Sequence, residues 1–433
     1  MMNIRENLRR FAPRAARDTI NAARAKFDGP PPEQIVLHDY ELIPDPAPEG
    51  RLSLVLPTLS STAIFGGVAT GVDLLFASAR ALDMRPRLIV DEFRDPTDLS
   101  YLKSVASRYA FKSDEIEVIS RSASTQPLSV RGKDLFFAFN WWVALNLRGL
   151  LSQQASRFPT PRPRPLLYIL QEYEPAFYDM SSTHMTARAA LDGTQRTFGV
   201  VNSEELHRYF RAQGHAFERE FVIPLRLSKS MKRARSSANA PKQKTILVYG
   251  RPGIRRNCFS SVVAGLKAFV HDFPEYRDWS LESAGGSHNS IDLGAGKRLV
   301  PLGKLSLEHY AHKLESAGVG LSLMASPHPS YPPVEMAHFG VRTVTNTYTC
   351  KDLSKAHENI LSIGDVLPKT IANALARQCA AVVADPRGGW RSRSMLPDYL
   401  SDDAYPFLPD LVQALREDAP DPAKQARHLA PSA

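Results

Sequence analysis

Arg251 and Glu335 stand in the two settings of this sequence best suited to bind a ligand. Arg251 lies in Tyr249-Gly250-Arg251-Pro252-Gly253-Ile254-Arg255-Arg256-Asn257, where a strand pattern ends in a glycine turn loaded with cations and a helical pattern follows. Backbone N–H groups and a helix N-terminus favour an anion at such a turn. A guanidinium can hold a diphosphate through two parallel hydrogen bonds. The turn lacks the Gly-Lys-Ser/Thr ending of a P-loop, and it is not a Gly-x-Gly-x-x-Gly fingerprint. Read locally, it is equally a surface turn with solvated arginines. Glu335 lies in Ser326-Pro327-His328-Pro329-Ser330-Tyr331-Pro332-Pro333-Val334-Glu335-Met336-Ala337-His338-Phe339-Gly340, a Pro-rich loop that opens a helix. The loop can present backbone N–H groups to a ligand, and the carboxylate can take two vicinal hydroxyls. An acid in a first helical turn is also favoured by the helix dipole alone. Three further acids stand at predicted strand ends: Glu172 and Glu174 in Gln171-Glu172-Tyr173-Glu174-Pro175, and Asp91. A carboxylate there could orient or deprotonate a hydroxyl. Glu172 and Glu174 share a face if the strand continues through them.

These residues need elements to position them, and the chain supplies an alternation of strand and helix. Strands are expected at Leu52–Leu56, Arg87–Val90, Glu117–Ile119, Leu135–Phe139, Leu166–Leu170 and Thr197–Val201, with helical patterns between most of them. A loop with Gly66, Gly67 and Gly71 follows the first strand and leads into a helix to about Leu82. Asn202-Ser203-Glu204-Glu205 reads as a helix cap. Trp141 and Trp142 suit core packing better than stacking on a sugar ring. The polar, basic run Ser228–Gln243 reads as a linker. The alternation then restarts with strands at Thr245–Tyr249, Trp279–Ala284, Gly318–Leu323 and Val341–Thr345 and helices at Cys258–Phe273, Ser306–Ala317 and from Val334. A short terminal helix is expected near Pro409–Arg416, followed by a disordered Pro/Ala-rich tail. This is the rhythm of doubly wound parallel sheets, which bind ligands at strand carboxyl ends.

The expected organisation is a basic helix and Pro-rich extension over 1–45, an α/β domain over 46–227, a linker over 228–243, a second α/β domain over 244–385, and a C-terminal helix and tail over 386–433. The C-terminal helix could pack back on the first domain. The 433 residues are 43% hydrophobic and 23% charged, as in a soluble globular chain. There is no apolar run long enough to span a bilayer and no secretory core at the N-terminus. Cys258, Cys350 and Cys379 are too scattered for a disulfide framework or zinc site and fit a reducing cytoplasm. The net charge of +9 draws on Arg5–Lys26 and on Lys229–Lys244. Neither cluster interleaves aromatics as an RNA-binding surface would, so no nucleic-acid partner is expected. Residues Asn3–Phe27 form an amphipathic basic helix pattern, read as packed on the body or, alternatively, as an arm on an anionic membrane surface.

Taken together, Arg251 and the Ser326–Gly340 segment resemble the retaining GT-B glycosyltransferases, in which a Gly-Arg turn with a nearby lysine grips the diphosphate. A Ser/Pro loop then leads to a helix whose glutamate holds the ribose. Arg251 and Glu335 match that pattern, and Arg255 or Arg256 stands near the usual lysine. Gly303-Lys304-Leu305-Ser306, with the helix containing Tyr310, matches the segment that lines the base pocket. The first acid of that family's paired motif is replaced here, with His328 near its place. Tyr168–Tyr178, Phe65-Gly66-Gly67-Val68-Ala69 and Val319–Asn346 are similar to WsaF-like bacterial rhamnosyltransferases, over roughly Arg51–Leu367.

The resemblance implies a GT-B fold: α/β, with two Rossmann-like doubly wound domains facing a central cleft. It implies a retaining, metal-independent transferase, with no cofactor, moving L-rhamnose from dTDP-L-rhamnose to a polysaccharide or lipid-linked glycan. The chain would work in the cytoplasm, at most peripheral to the cytoplasmic face of the inner membrane. The donor set it implies is Arg251, Arg255, Asn257, Gly303, Lys304, Ser326, His328, Ser330, Tyr331 and Glu335. Gly66 and Gly67 line the acceptor side, and Glu172, Glu174 and Asp91 are the candidate catalytic acids. A UDP- or GDP-sugar donor, an epimerase or phosphorylase on the same frame, and a glycan-binding protein with a decayed donor site are the alternatives.

Overall fold

The computed structural model describes residues 37–60, 64, 66–91, 97–120, 127–160, 162–193, 195–234 and 239–417. The expected N-terminal helix, Phe65 and the Pro/Ala-rich tail lie outside them. In chain order the strands and helices are β1 (Leu42–Pro44), β2 (Arg51–Leu56), α1 (Gly66–Leu82), β3 (Arg85–Val90), α2 (Leu99–Ser107), β4 (Glu117–Ser120), β5 (Leu128–Val130), β6 (Leu135–Ala138), α3 (Trp141–Arg157), β7 (Leu166–Leu170), α4 (Ser182–Ala189), β8 (Thr197–Val201), α5 (Glu204–Ala212), β9 (Arg219–Val222) and α6 (Lys229–Ala234). They continue with β10 (Gln243–Gly250), α7 (Phe259–Asp272), β11 (Ser280–Gly285), β12 (Ile291–Gly294), β13 (Lys297–Gly303), α8 (Leu307–Ser316), β14 (Ala317–Leu321), α9 (Pro332–His338), β15 (Arg342–Asn346), β16 (Ile360–Ile363), α10 (Pro368–Ala384) and α11 (Leu408–Glu417).

Two seven-stranded sheets organise these elements, in the orders β4-β3-β2-β6-β7-β8-β9 and β12-β13-β11-β10-β14-β15-β16. In the second sheet every pairing is parallel except the β12–β13 hairpin at its edge. The strands are short apolar runs because both faces are covered. Along β10, Ile246 and Val248 point into one core with Val262 and Leu266 of α7 and Ile371 and Leu375 of α10. Leu247, between them, points into the opposite core with Ala311 and Leu314 of α8 and Val334 and Met336 of α9. The chain leaves β10 toward β11 on one side and leaves β14 toward β15 on the other. The carboxyl ends of β10 and β14 therefore flank a topological switch point, where open α/β sheets take ligands.

Contacts divide the chain into two compact units. One holds the described residues through Phe76, Met84–Leu166 and Glu174–Gln195. The other holds Ala77–Asp83, Leu167–Tyr173 and the described residues from Arg196 onward.

Three local expectations change. Gly66 and Gly67 are the first residues of α1, not a loop. The apolar run that follows carries the helix back through them, and Gly71 lets α1 approach the Phe139 ring, which a Cβ would meet at 3.1 Å. The segment expected as a linker contains α6, whose Met231 is fully buried and whose Lys232 Nζ donates to the carbonyls of Leu400 and Ser401. Lys242 is not a solvated cation of a charge run. Its ammonium is buried and donates to the carbonyls of Leu314 (2.7 Å), Glu315 (2.8 Å) and Phe339 (2.6 Å) at the ends of α8 and α9. The ammonium also lies 4.0 Å from the Trp390 ring centre. These carbonyls are orphans of helix C-termini, and a cation there also meets the negative end of each dipole. Lys242→Met is therefore expected to cost about 3 kcal/mol or more, since buried acceptors left unmade cost ~1–3 kcal/mol each. Urea unfolding measures it, and a loss below ~1 kcal/mol would show that water replaces the ammonium.

Candidate functional site

The anion turn forms where β10 ends. Gly250 is required there, because a Cβ would lie 2.3 Å from Ser283 Oγ and 2.7 Å from the Phe259 ring. Its carbonyl accepts from Gly286 N–H at 2.7 Å, and Gly285 turns the neighbouring strand end with φ +128°. Two strand ends thus lie backbone to backbone, with the Cα of Arg251 close to Gly286. Arg251 is half-buried and Arg255 exposed. Asn257 is buried and turns inward, its amide 3.6 Å from Met324 Sδ.

Arg251 hydrogen-bonds one tyrosine, and Glu335 lies within electrostatic reach of it. The Tyr249 hydroxyl is raised above its ordinary value, first by burial, and it takes a hydrogen bond from Arg251. Glu335 and Arg256 lie within electrostatic reach of the same hydroxyl. The Tyr310 and Tyr399 hydroxyls also lie within electrostatic reach of Glu335. Burial pushes the Glu335 carboxyl up to about 7. The Tyr310 hydroxyl is buried and has no hydrogen-bond partner among the described residues. A buried hydroxyl without a partner is costly and calls for a ligand or water. Gly303 supplies a left-handed turn at φ +67°, Lys304 is exposed beside it, and Ser306 caps α8 by accepting from His309 N–H at 3.2 Å.

The raised carboxyl has a pH signature. Glu335 keeps its proton in the fold between its ordinary value of 4.5 and about 7, whereas the unfolded chain has lost it. Stability contributed by this group falls as pH rises through that window. Glu335→Gln, which cannot ionise, is expected to melt higher than the wild type at pH 8 and to gain least at pH 5. Thermal melts at the two pH values check this, and an equal difference at both would contradict it.

The Ser326–Ser330 loop is rigid and buried. Ser326 Oγ donates to Glu172 Oε1 at 2.5 Å and accepts from His328 N–H at 2.9 Å. Ser330 N–H donates to His328 Nδ1 at 3.0 Å, with Ser330 held at φ +65°. The other ring nitrogen of His328 lies 3.1 Å from the Asn202 amide, and Tyr331 OH donates to Asn202 Oδ1 at 3.5 Å. Burial brings His328 down to about 3, so its ring is neutral at ordinary pH. Asn202 and Ser203 divide their work: Ser203 caps α5, accepting from Leu206 N–H at 3.1 Å, while Asn202 faces this loop.

The three candidate acids have separate settings. The strand β7 stops at Leu170 and does not carry Glu172 and Glu174 on one face. Glu174 precedes Pro175, which disfavours continued pairing, and it opens a 3-10 turn over Glu174–Phe177. Glu174 Oε2 accepts from Trp141 N–H at 2.6 Å at the start of α3. Trp141 is buried and donates from Nε1 to Tyr178 OH at 3.0 Å, so it belongs to the core. Asp91 is buried, accepting from Tyr40 OH at 2.8 Å and lying 3.3 Å from His38 Nε2. Glu172 is buried beside Arg256, with 3.7 Å between Oε2 and Nε. Lys351, which no local motif marks, is also buried near Glu172 and donates to the Met324 carbonyl at 2.8 Å. Its position just beyond the carboxyl end of β15 is the one signal that could have found it.

Sheets of this topology, with a cationic glycine turn and a glutamate at the switch point, have the GT-B glycosyltransferase architecture. Family models for the WsaF N-terminal and C-terminal domains match residues 51–204 and 244–376, and the chain belongs to the WsaF family. RfbC of Myxococcus xanthus, an O-antigen biosynthesis protein, is 27% identical over 179 residues, 41% of this chain and 14% of RfbC. The chain spans well under half the length of the curated relatives it matches. Among solved structures, WaaG, a glycosyltransferase involved in lipopolysaccharide biosynthesis, superposes with a TM-score of 0.52 at 11% identity, over 84% of this chain and 99% of WaaG. A trehalose-6-phosphate structure from E. coli, bound with UDP-2-fluoro glucose, gives 0.56 at 12% identity over 86% and 100%. At such identities these likenesses establish the fold. Among the described residues no helix is long and apolar enough to cross a membrane.

Proposed function

We propose that this chain transfers a deoxyhexose, L-rhamnose first among candidates, from a dTDP donor to a polysaccharide or lipid-linked glycan. The observation that carries the reading is the hydrogen bond of Arg251 to Tyr249 with Glu335 within electrostatic reach, beside the unpartnered Tyr310 hydroxyl. The guanidinium suits a diphosphate and the glutamate a vicinal diol, and both stand at the switch point of the sheet. The glycine turn of Gly250, Gly285 and Gly286 lets a backbone-bound phosphate approach. Arg251 and Arg256 would stabilise the charge that develops on the departing diphosphate, the task for which other transferases use a metal ion. Family membership supports transfer onto a surface glycan, as does the likeness to RfbC, and the WsaF resemblance supports dTDP-L-rhamnose, retention and metal independence. Cytoplasmic work at the membrane face belongs to the same proposal, because lipid-linked acceptors are presented there.

A thermal-shift panel of dTDP-L-rhamnose, UDP-glucose and GDP-mannose tests the donor. A ligand at about 100 times its dissociation constant adds ~2.7 kcal/mol of stability. The expected result is a shift with the dTDP sugar well above the others. A larger shift with the UDP or GDP sugar would replace the proposed donor, and no shift with any would refute the site.

A further inference from the structure

We infer that Glu172 is a positioning carboxylate of the donor site, held by Ser326, which fixes Arg256 and the Ser326–Tyr331 loop and does not touch the acceptor. The inference rests on the donor-site reading above and assigns that site its internal support. The loop is tied down at successive residues. Met324 N–H donates to Asn346 Oδ1 at 2.7 Å, and the Met324 carbonyl accepts from Asn346 Nδ2 and from Lys351 Nζ. Ala325 N–H donates to the Arg256 carbonyl at 2.7 Å. Ser326 then bonds Glu172, and His328 and Tyr331 reach Asn202. The residue that follows Tyr331 begins α9, which carries Glu335.

Glu172 closes this set electrostatically. Its Oε1 accepts from Ser326 Oγ and from Tyr173 N–H, and its Oε2 faces Arg256 Nε. The Ser326 hydroxyl has one proton and gives it to the carboxylate, which leaves its oxygen to accept from His328 N–H. Such a chain is polarised along its length when it ends on an anion. Only 8% of Glu172 is exposed, so its lone pairs are directed at the protein, whereas a general base must reach the proton it removes. Burial raises the Glu172 carboxyl, while Ser326, Arg256 and Lys351 oppose the rise. Lys351 is brought down to about 8 by its own burial, with Glu172, Cys258, Glu205 and Cys350 opposing. The buried carboxylate is thus ion-paired with Arg256, which is 36% exposed at its side chain and can also reach a ligand.

The test compares Glu172→Gln with Lys351→Met and Lys351→Arg in the full chain, reading dTDP affinity by calorimetry and turnover of the dTDP sugar. Glu172→Gln keeps an acceptor for Ser326 but releases Arg256. It is expected to weaken dTDP about tenfold, with donor kcat/KM falling at least in proportion and kcat at saturating donor falling by no more than about tenfold, because a released Arg256 must be ordered by the ligand and no longer steadies the departing diphosphate. Lys351→Met is expected to weaken dTDP in the same direction and Lys351→Arg to restore it. A general base would instead lose 10²- to 10⁴-fold in kcat, as roughly expected of proton transfer, with dTDP affinity intact. Unchanged or tighter dTDP binding in Glu172→Gln overturns the inference. A wild type that binds no dTDP overturns the donor-site reading itself, and the two failures are distinct.

Discussion

Asp134→Ala is expected to be the most destabilising single change in the chain, by about 3–5 kcal/mol, the loss typical of breaking a buried ion pair from one side. Asp134 is fully buried and accepts from Arg51 N–H at 2.7 Å, Arg51 Nη2 at 2.7 Å, Arg87 Nη2 at 3.2 Å and Arg131 N–H at 3.0 Å. Arg87 is itself fully buried, and burial lowers its guanidinium to about 10. Glu117 contributes a more distant charge, 3.4 Å from Arg51 and 4.0 Å from Arg87. Alanine at 134 leaves two buried guanidiniums without the carboxylate they share. The rest of the network, half-exposed at Glu117 and Asp45, cannot replace it. Asp134→Asn should lose less, because one acceptor oxygen remains. The cluster lies at the amino ends of β2 and β6, so the folded fraction of either variant should bind nucleotide normally. Chemical denaturation measures the change. A loss below ~1 kcal/mol would place the pairs in the weak class of surface bridges.

How much of this was legible depended on whether the determining contacts were local. The apolar runs of β7 and β8 fall where their composition puts them, because strands covered on both faces need nothing but continuous hydrophobicity and a stop. Arg251 and Glu335 were legible for the same reason: each sits in a strand-turn-helix junction whose residue types restrict the backbone. The helix α10 also carried a readable signal, Pro368 at its start and Ile371, Leu375, Cys379 and Val382 on one face, but motif-led reading passes over a segment without chemistry. Glu174 falls off the strand because β7 ends at Leu170 and Pro175, which cannot donate to a sheet, follows Glu174 in a 3-10 turn. Lys242 and Lys351 were not legible. A lysine in a basic run and one in a Thr-Tyr-Thr-Cys-Lys string look solvated. Their burial comes from carbonyls that α8, α9 and the Met324 loop bring from 27 or more residues away. The pairing of Glu172 with Ser326 spans 154 residues and is likewise a product of the fold.

Arg251→Ala carries the largest expected effect on function. Its guanidinium is the side chain that joins the glycine turn to the Tyr249–Glu335 cluster, and a hydrogen bond to a charged partner contributes about 1.5–3 kcal/mol. Losing it should weaken nucleotide diphosphate binding by roughly ten- to a hundredfold, at about 1.4 kcal/mol per tenfold. Arg255, exposed on the same turn, is the control, and its alanine variant should bind within about threefold of the wild type because exposed charges contribute little. Donor turnover should fall in parallel, since the same contact strengthens as charge develops on the leaving group.

The measurement closest to the central claim is calorimetric titration of dTDP into the wild type, Arg251→Ala and Glu335→Gln under one set of conditions. The account predicts a single site in the wild type, a large loss of affinity in Arg251→Ala, and a smaller loss in Glu335→Gln. Equal affinity in the wild type and Arg251→Ala would contradict it.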